Sequence, residues 1–294
     1  VIALIDSGIN ITQLKQVKAV DIGYGILDEN GHGSILADII LKILSINNVN
    51  LEIVSLKILD KFKRGTLDGM FKALDYCLEL KPSCICMALS ISNYNSIEIV
   101  KLKQYITKIA KEKIYIITAF ENGTYNSYPA NFKEVYGCLN SLAYTDYNIE
   151  NIKKNLIVNA TVDSIYFMFQ NQIKVIGGNS LLCGIATAYF FIIKFIYKKE
   201  ILFPDILYKI AEFNKFNTRV KDYKKINAIK MKLKTMKFTN IDNPYLILND
   251  LNKGKLFLEE IKNYNYNVGK KYYLQLHHLL TWNDFVTYLY FENK

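Results

Sequence analysis

The chain has 294 residues, 51% of them apolar and 22% charged, with few Gly or Pro, which excludes a disordered tail or linker and leaves room for one large core or two smaller ones. The formal net charge of +10 is concentrated between Lys194 and Lys237, where 13 Lys/Arg stand against 4 Asp/Glu. These charges are interleaved with Ile, Leu, Tyr and Phe at helical spacing, so they read as a solvated helix face joining two modules; contact with nucleic acid or an anionic surface is the alternative, but no nucleic-acid motif accompanies them and no such partner is expected.

Along the chain, strand candidates at 1–6, 17–22, 51–58, 83–90, 113–119, 134–140 and 155–161 alternate with helix candidates at 33–46, 65–80, 96–111 and 180–198. Runs such as IVSLKIL, CICMALSI and IYIITAF are nearly continuously apolar, as strands covered on both faces are. The alternation predicts an α/β fold, a parallel sheet with right-handed crossovers and helices on both faces. In such sheets active residues gather at the carboxyl ends of strands and at the helix N-termini that follow. The run LLCGIATAYFFIIKFIY (181–197) approaches the length of a membrane span, but Gly184, Thr187 and Lys194 interrupt it and it reads as a buried core helix. After residue 200 the strand signals vanish and helical ones remain, at 204–216, 219–236, 253–264 and 281–291. An α/β domain over 1–200, a basic helical linker over 201–224 and an all-α module over 225–294 follow from that division.

The start of the chain has no basic stretch, apolar core and cleavage site, so no signal peptide is read, and VIALID begins abruptly, as a trimmed chain would. Cysteines 77, 84, 86, 138 and 183 are odd in number and mostly lie in apolar runs, so reduced, buried thiols and a cytoplasmic location are expected. Cys84 and Cys86 share one strand face without a second ligand pair, and no metal or other cofactor is expected.

Three short stretches carry chemistry. ALIDSGI ends the first strand with Asp6; NGHGS sets His32, the sole histidine before His277 and His278, at the mouth of a helix; GGNSLLCGIATA sets Ser180 after two glycines at the start of another. Singly, each has a plain structural reading: a turn carboxylate, a loop histidine, a helix N-cap serine. Together, in the order Asp, His, Ser, they resemble the motifs of subtilisin-like serine proteases, whose apolar strand ends in D-[ST]-G, whose G-H-G-[ST] opens a helix and whose G-[TN]-S-M-A opens the central helix. YIITAFENGTYNSYPA (115–130) resembles the segment that carries that family's oxyanion-hole Asn, and CMALSIS (86–92) resembles the strand that pairs with substrate. The likeness spans about residues 1–200.

It implies a serine endopeptidase acting on a peptide or protein substrate. Its triad would be Asp6, His32 and Ser180, with Asn122 in the oxyanion hole and substrate beside Met87, Ala88, Leu89 and Ser90. Such chemistry needs a base near neutral pKa, because a serine hydroxyl is almost wholly protonated at neutral pH. The likeness also frays. Asn179 stands where Thr is usual, Leu181 and Leu182 where Met-Ala is usual, and Glu121 sits beside Asn122, where it could oppose an oxyanion or select a basic substrate side chain. Calcium-binding Asp-rich loops are not evident, and no pro-segment precedes the first strand. An intracellular peptidase that matures a small peptide by leader removal fits; so does a relative that binds peptides without cutting them.

Residues 248–290 weakly resemble the second half of an acyl- or peptidyl-carrier domain, in LNKGKLFLEEI, YNYNV and TWNDFVTYL. Lys253 stands where such a domain attaches phosphopantetheine to Ser, and no serine follows Ser180. The resemblance therefore implies a docking module for a biosynthetic-enzyme partner, not a working carrier; a plain helical bundle is the alternative.

Overall fold

A computed structural model describes residues 1–10, 16–91, 95–123, 127–140, 157–160, 162, 164–170, 172–198, 223–234, 244, 251–264, 266, 268, 274–275, 285–286, 288–289 and 293. The chain divides into two compact units, Val1–Val162 with Gly178–Glu212, and Asp163–Gly177 with Phe213–Lys294.

The first unit is built on a parallel sheet of strands β1 (Ile2–Asp6), β2 (Val17–Val20), β3 (Ile53–Lys57), β4 (Cys84–Met87), β5 (Tyr115–Ala119), β6 (Tyr136–Asn140) and β7 (Ile157–Ala160), in the order β2-β3-β1-β4-β5-β6-β7. Helices α1 (His32–Ile46), α2 (Leu67–Leu80), α3 (Ser96–Lys111) and α4 (Gly178–Phe191) cover it. All seven strand candidates and the four helix candidates of residues 1–200 form, with ends displaced by a few residues at most. Alternation along the strands explains why. Ala3, Ile5, Val54, Leu56, Ile85 and Met87 pack with Met70, Leu74, Leu102 and Ile106 of α2 and α3. The intervening positions point to the other face, where Cys86 Sγ lies 3.8 Å from Cys183 Sγ of α4.

Local chemistry sets the helix starts. Thr66 accepts the Gly69 N–H at 3.1 Å to open α2. Asn95 and Glu98 form a reciprocal capping box at α3, a device worth about 1 kcal/mol. Helix α4 begins beside the carboxyl ends of β5 and β6, where Asn179 bonds the Phe120 carbonyl and the Asn140 N–H. Phe190, near its far end, meets the rings of Tyr115, tilted, and Tyr136, edge-on, at the opposite ends of the same strands. It therefore runs antiparallel to the strands, as α1 does from Asp6 toward Ile46. The two helices pack side by side. Gly184 makes that approach close, since a Cβ there would stand 2.8 Å from Leu36 Cδ2. A π-helical turn, Ile192–Ile196, continues α4. Gly178–Ile196 is long and apolar enough to cross a membrane by length and composition alone, and 78% of its apolar stretch is buried; packing over the sheet and α1 accounts for that composition.

The second unit departs from the sequence expectation of an all-α module. Strands β8 (Ile165–Phe169) and β9 (Gln172–Ile176) form an antiparallel hairpin, and Leu274–Gln275 (β10) pairs antiparallel with β8. Two helices described in full, Tyr223–Lys234 and Leu251–Asn263, match the predicted 219–236 and 253–264. The predicted helix 204–216 and most of the 201–224 linker lie outside the described residues.

Candidate active site

Asp6 ends β1 fully buried. Its Oδ1 accepts the Ser7 N–H at 2.7 Å and meets His32 Nδ1 at 2.8 Å. A carboxylate can only accept, so the imidazole carries its proton on Nδ1 and presents a lone pair on Nε2 when neutral. Asp6 Oδ2 is buried with no hydrogen-bond partner among the described residues. Leaving a buried charged oxygen unmatched costs upward of about 1–3 kcal/mol, an arrangement that native folds keep chiefly where it has a use.

Four residues before His32, Asp28 organises the helix that carries it. Its Oδ1 accepts from Ser7 Oγ at 2.9 Å, Asn30 N–H at 3.0 Å and Gly31 N–H at 2.8 Å; its Oδ2 accepts from Ser34 N–H at 2.9 Å and Ser34 Oγ at 2.7 Å. Ser7 Oγ in turn accepts the Gly33 N–H at 2.9 Å. Gly31, the N-cap, has φ +94° and offers no side chain. Three orphan N–H groups at the start of α1, those of Gly31, Gly33 and Ser34, are thus satisfied by Asp28 and Ser7. Sequence reasoning passed over Asp28, although a carboxylate just before a glycine-led helix start is a capping signal. Gly33 lets α1 approach β1: a Cβ there would stand 2.3 Å from the Gly8 carbonyl oxygen and 3.3 Å from Asp6 Oδ1.

Ser180 lies in the first turn of α4 and is half-buried. Its hydroxyl donates to the Ala88 carbonyl at 3.2 Å, a long O–H···O contact and hence a weak one. Among the described residues no hydrogen bond joins Ser180 to His32. The two nevertheless stand at corresponding places: β1 and β4 are adjacent in the sheet, His32 is bonded at the end of one and Ser180 just past the end of the other. The close Leu36–Gly184 approach lies four residues further along each helix, one turn in from His32 and Ser180. Both side chains therefore occupy the carboxyl edge, on the same face.

Asn122 is exposed, and its Oδ1 accepts the Asn179 N–H at 3.2 Å. A backbone donor fixes which end of the amide is oxygen, leaving the Nδ2 donors for other partners. Gly178, at φ +62°, makes room for this; a Cβ there would stand 2.6 Å from Asn122 Oδ1. Asn179, a departure from the expected Thr, bridges β5 and β6 to α4 through Phe120 and Asn140. Buried Asn140 donates from Nδ2 to the carbonyls of Val162 at 2.8 Å and Gly178 at 3.3 Å. No motif marked Asn140.

Of the expected substrate strand, Met87 has its side chain fully buried in the core with α2 and α3, because alternation turns it away from α4, so a substrate would meet its main chain alone. Ala88 contributes the carbonyl that meets Ser180. Leu89 and Ser90 are half-buried, and the Leu89 carbonyl accepts Thr118 Oγ1 at 3.3 Å. Ile91 and Tyr128 exchange N–H···O bonds at 2.8 and 3.4 Å, so that end of the strand is already paired. Glu121 is half-buried, and its N–H donates to Ser127 Oγ at 3.0 Å. Beneath Ser180, burial pushes the Cys183 thiol well up, with Cys138 and Cys86 beside it adding to the rise. Among the described residues no three His, Cys, Asp or Glu side chains gather as a metal site.

No family model and no curated relative matches the chain. Among solved structures it is similar to a cold adapted subtilisin-like serine proteinase, with a TM-score of 0.50 and 16% identity over 76% of this chain and 84% of that one. The parallel sheet flanked by helices is a subtilisin-like α/β fold.

Proposed function

We propose that the chain is a subtilisin-like serine endopeptidase that hydrolyses peptide bonds through an acyl-enzyme on Ser180. The observation that carries this reading is the buried Asp6–His32 pair at 2.8 Å, set at the same edge and face as Ser180. His32 Nε2 takes the Ser180 proton as Oγ attacks the substrate carbonyl carbon, then delivers it to the departing amine nitrogen; water repeats the sequence on the ester to release the acid. Asp6 holds the ring tautomer and steadies the imidazolium. The Ser180 N–H, an orphan donor of the first turn of α4, and Asn122 Nδ2 stabilise the oxyanion. Breaking the weak bond to Ala88 requires only a turn about Ser180 χ1 between staggered wells.

Removal of a leader from a small peptide inside the cell is the role we favour. It is supported by the carrier-like sequence motifs of residues 248–290, which suit docking to a biosynthetic enzyme. A second reading, a relative that binds peptides without cutting them, is favoured by one observation: the Ser180 hydroxyl is bonded to Ala88 and not to His32. A fluorophosphonate probe separates the two. The endopeptidase labels covalently at Ser180, Ser180→Ala abolishes the label, and His32→Ala slows it by orders of magnitude. A folded sample that never labels leaves only the binding reading.

A further inference from the structure

The loop between β3 and α2 carries an arrangement that the proposed hydrolysis does not use. Asp60 braces it. Its Oδ1 accepts the N–H groups of Phe62 at 2.8 Å and Arg64 at 2.9 Å, its own N–H donates to the Arg64 carbonyl at 2.9 Å, and its carbonyl accepts the Lys63 N–H at 3.0 Å. The Arg64 N–H, followed by that of Phe62, holds the Asp60 carboxyl below its usual range. A turn braced this way presents its side chains in a set geometry, so little ordering entropy is lost when a ligand arrives.

Phe62 stands at its tip, 66% exposed, with Lys61 Nζ 5.1 Å and Arg64 Cζ 6.0 Å from its ring centroid. Lys61, Lys63 and Arg64 are exposed, and among the described residues none of them forms an ion pair. Of the acids nearby, Glu29 pairs with Lys57 at 3.2 Å and Asp68 with Lys72 at 3.0 Å, while Asp60, inside the turn, interacts with Arg64. Lys61, Lys63 and Arg64 outnumber that one acid, so the tip carries net positive charge. The loop is also tied to the active-site edge, because its Lys61 carbonyl accepts Asn30 Nδ2 at 2.9 Å, and Asn30 precedes His32 by two residues.

We propose that Lys61–Arg64 recognises an acidic segment of the peptide substrate, with Lys61, Lys63 and Arg64 meeting its carboxylates and the Phe62 ring covering the aliphatic stems. The occupant's identity as substrate rests on the peptide-processing reading; the charge selectivity does not. The test measures fluorescence anisotropy of a labelled peptide of alternating Glu and Ala, and of its Gln counterpart, on full-length Ser180→Ala protein, so that cleavage plays no part. The Glu peptide binds about tenfold or more tighter than the Gln peptide at low salt, and the preference shrinks as salt rises. Changing Lys61, Lys63 and Arg64 together to Gln abolishes the preference, while Phe62→Ala weakens both peptides alike. Equal affinity for the two peptides, no binding of either, or a preference that survives the triple change overturns the proposal. Acidic selectivity in a chain whose wild type never labels with fluorophosphonate would sink the endopeptidase reading alone.

Discussion

Replacing Asp28 with alanine would strand several buried or half-buried donors at once, in the turn that holds His32 against Asp6. We expect Asp28→Ala to cost about 2–4 kcal/mol in urea unfolding and to lower kcat at unchanged thermal order of the remaining sheet. Gly33→Ala drives a methyl toward the Gly8 carbonyl, 2.3 Å away, so α1 must retreat from Asp6; unfolding titrations should show a loss of about 1–3 kcal/mol. Gly178→Ala should displace Asn122 and cost activity more than stability, read as kcat falling with KM nearly constant. At this scale the sequence was partly legible. Asp6, His32 and Ser180 stand out because the proposed hydrolysis tolerates few residue types at those points. Asp28 and Asn140 did not, because their work is to satisfy backbone groups, and that depends on which strand ends lie nearby. The direction of the Met87 side chain was not legible, because a strand motif does not say which of its alternate side chains faces the helix above.

The strands and helices of the first unit were legible because the central strands are covered on both faces and each helix opens with a cap or a glycine. The β8–β9 hairpin escaped notice: IYFMF is continuously apolar and only QIKVI alternates, and the turn at Gln170 lacks the glycine that advertises a tight turn, while Gln170 itself takes φ +49°. Burial of whole elements also has a chemical signature. The Cys77 thiol, inside α2, is pushed up to about 12 by burial, and burial likewise raises Cys84 on β4. A group whose folded pKa is raised stabilises the fold below its unfolded pKa, and that contribution is lost as pH climbs toward the folded value. Stability should therefore fall from near pH 9 upward, by about 1.4 kcal/mol per pH unit for each such thiol. Guanidinium unfolding at stepped alkaline pH measures this, and a thiol reagent at pH 8 should label these cysteines only as the chain unfolds.

At the scale of the molecule, sequence composition suggested a boundary between residues 200 and 220. The backbone passes between its two units at 212–213, and also at 162–163 and 177–178. Composition cannot reveal this, since the hairpin that changes sides reads like any pair of apolar strands. The pairing of β8 with Leu274–Gln275 gives that path a practical meaning. Suppose a proteinase severs the chain once, between Glu212 and Phe213. The upstream fragment keeps the hairpin and the downstream fragment keeps its third strand, so the pieces remain clasped by backbone hydrogen bonds inside one unit. Such a nicked sample should migrate as two bands after boiling in detergent yet elute from a sizing column as one species. Scission there would be a scar the protein carries, not a separation of its parts.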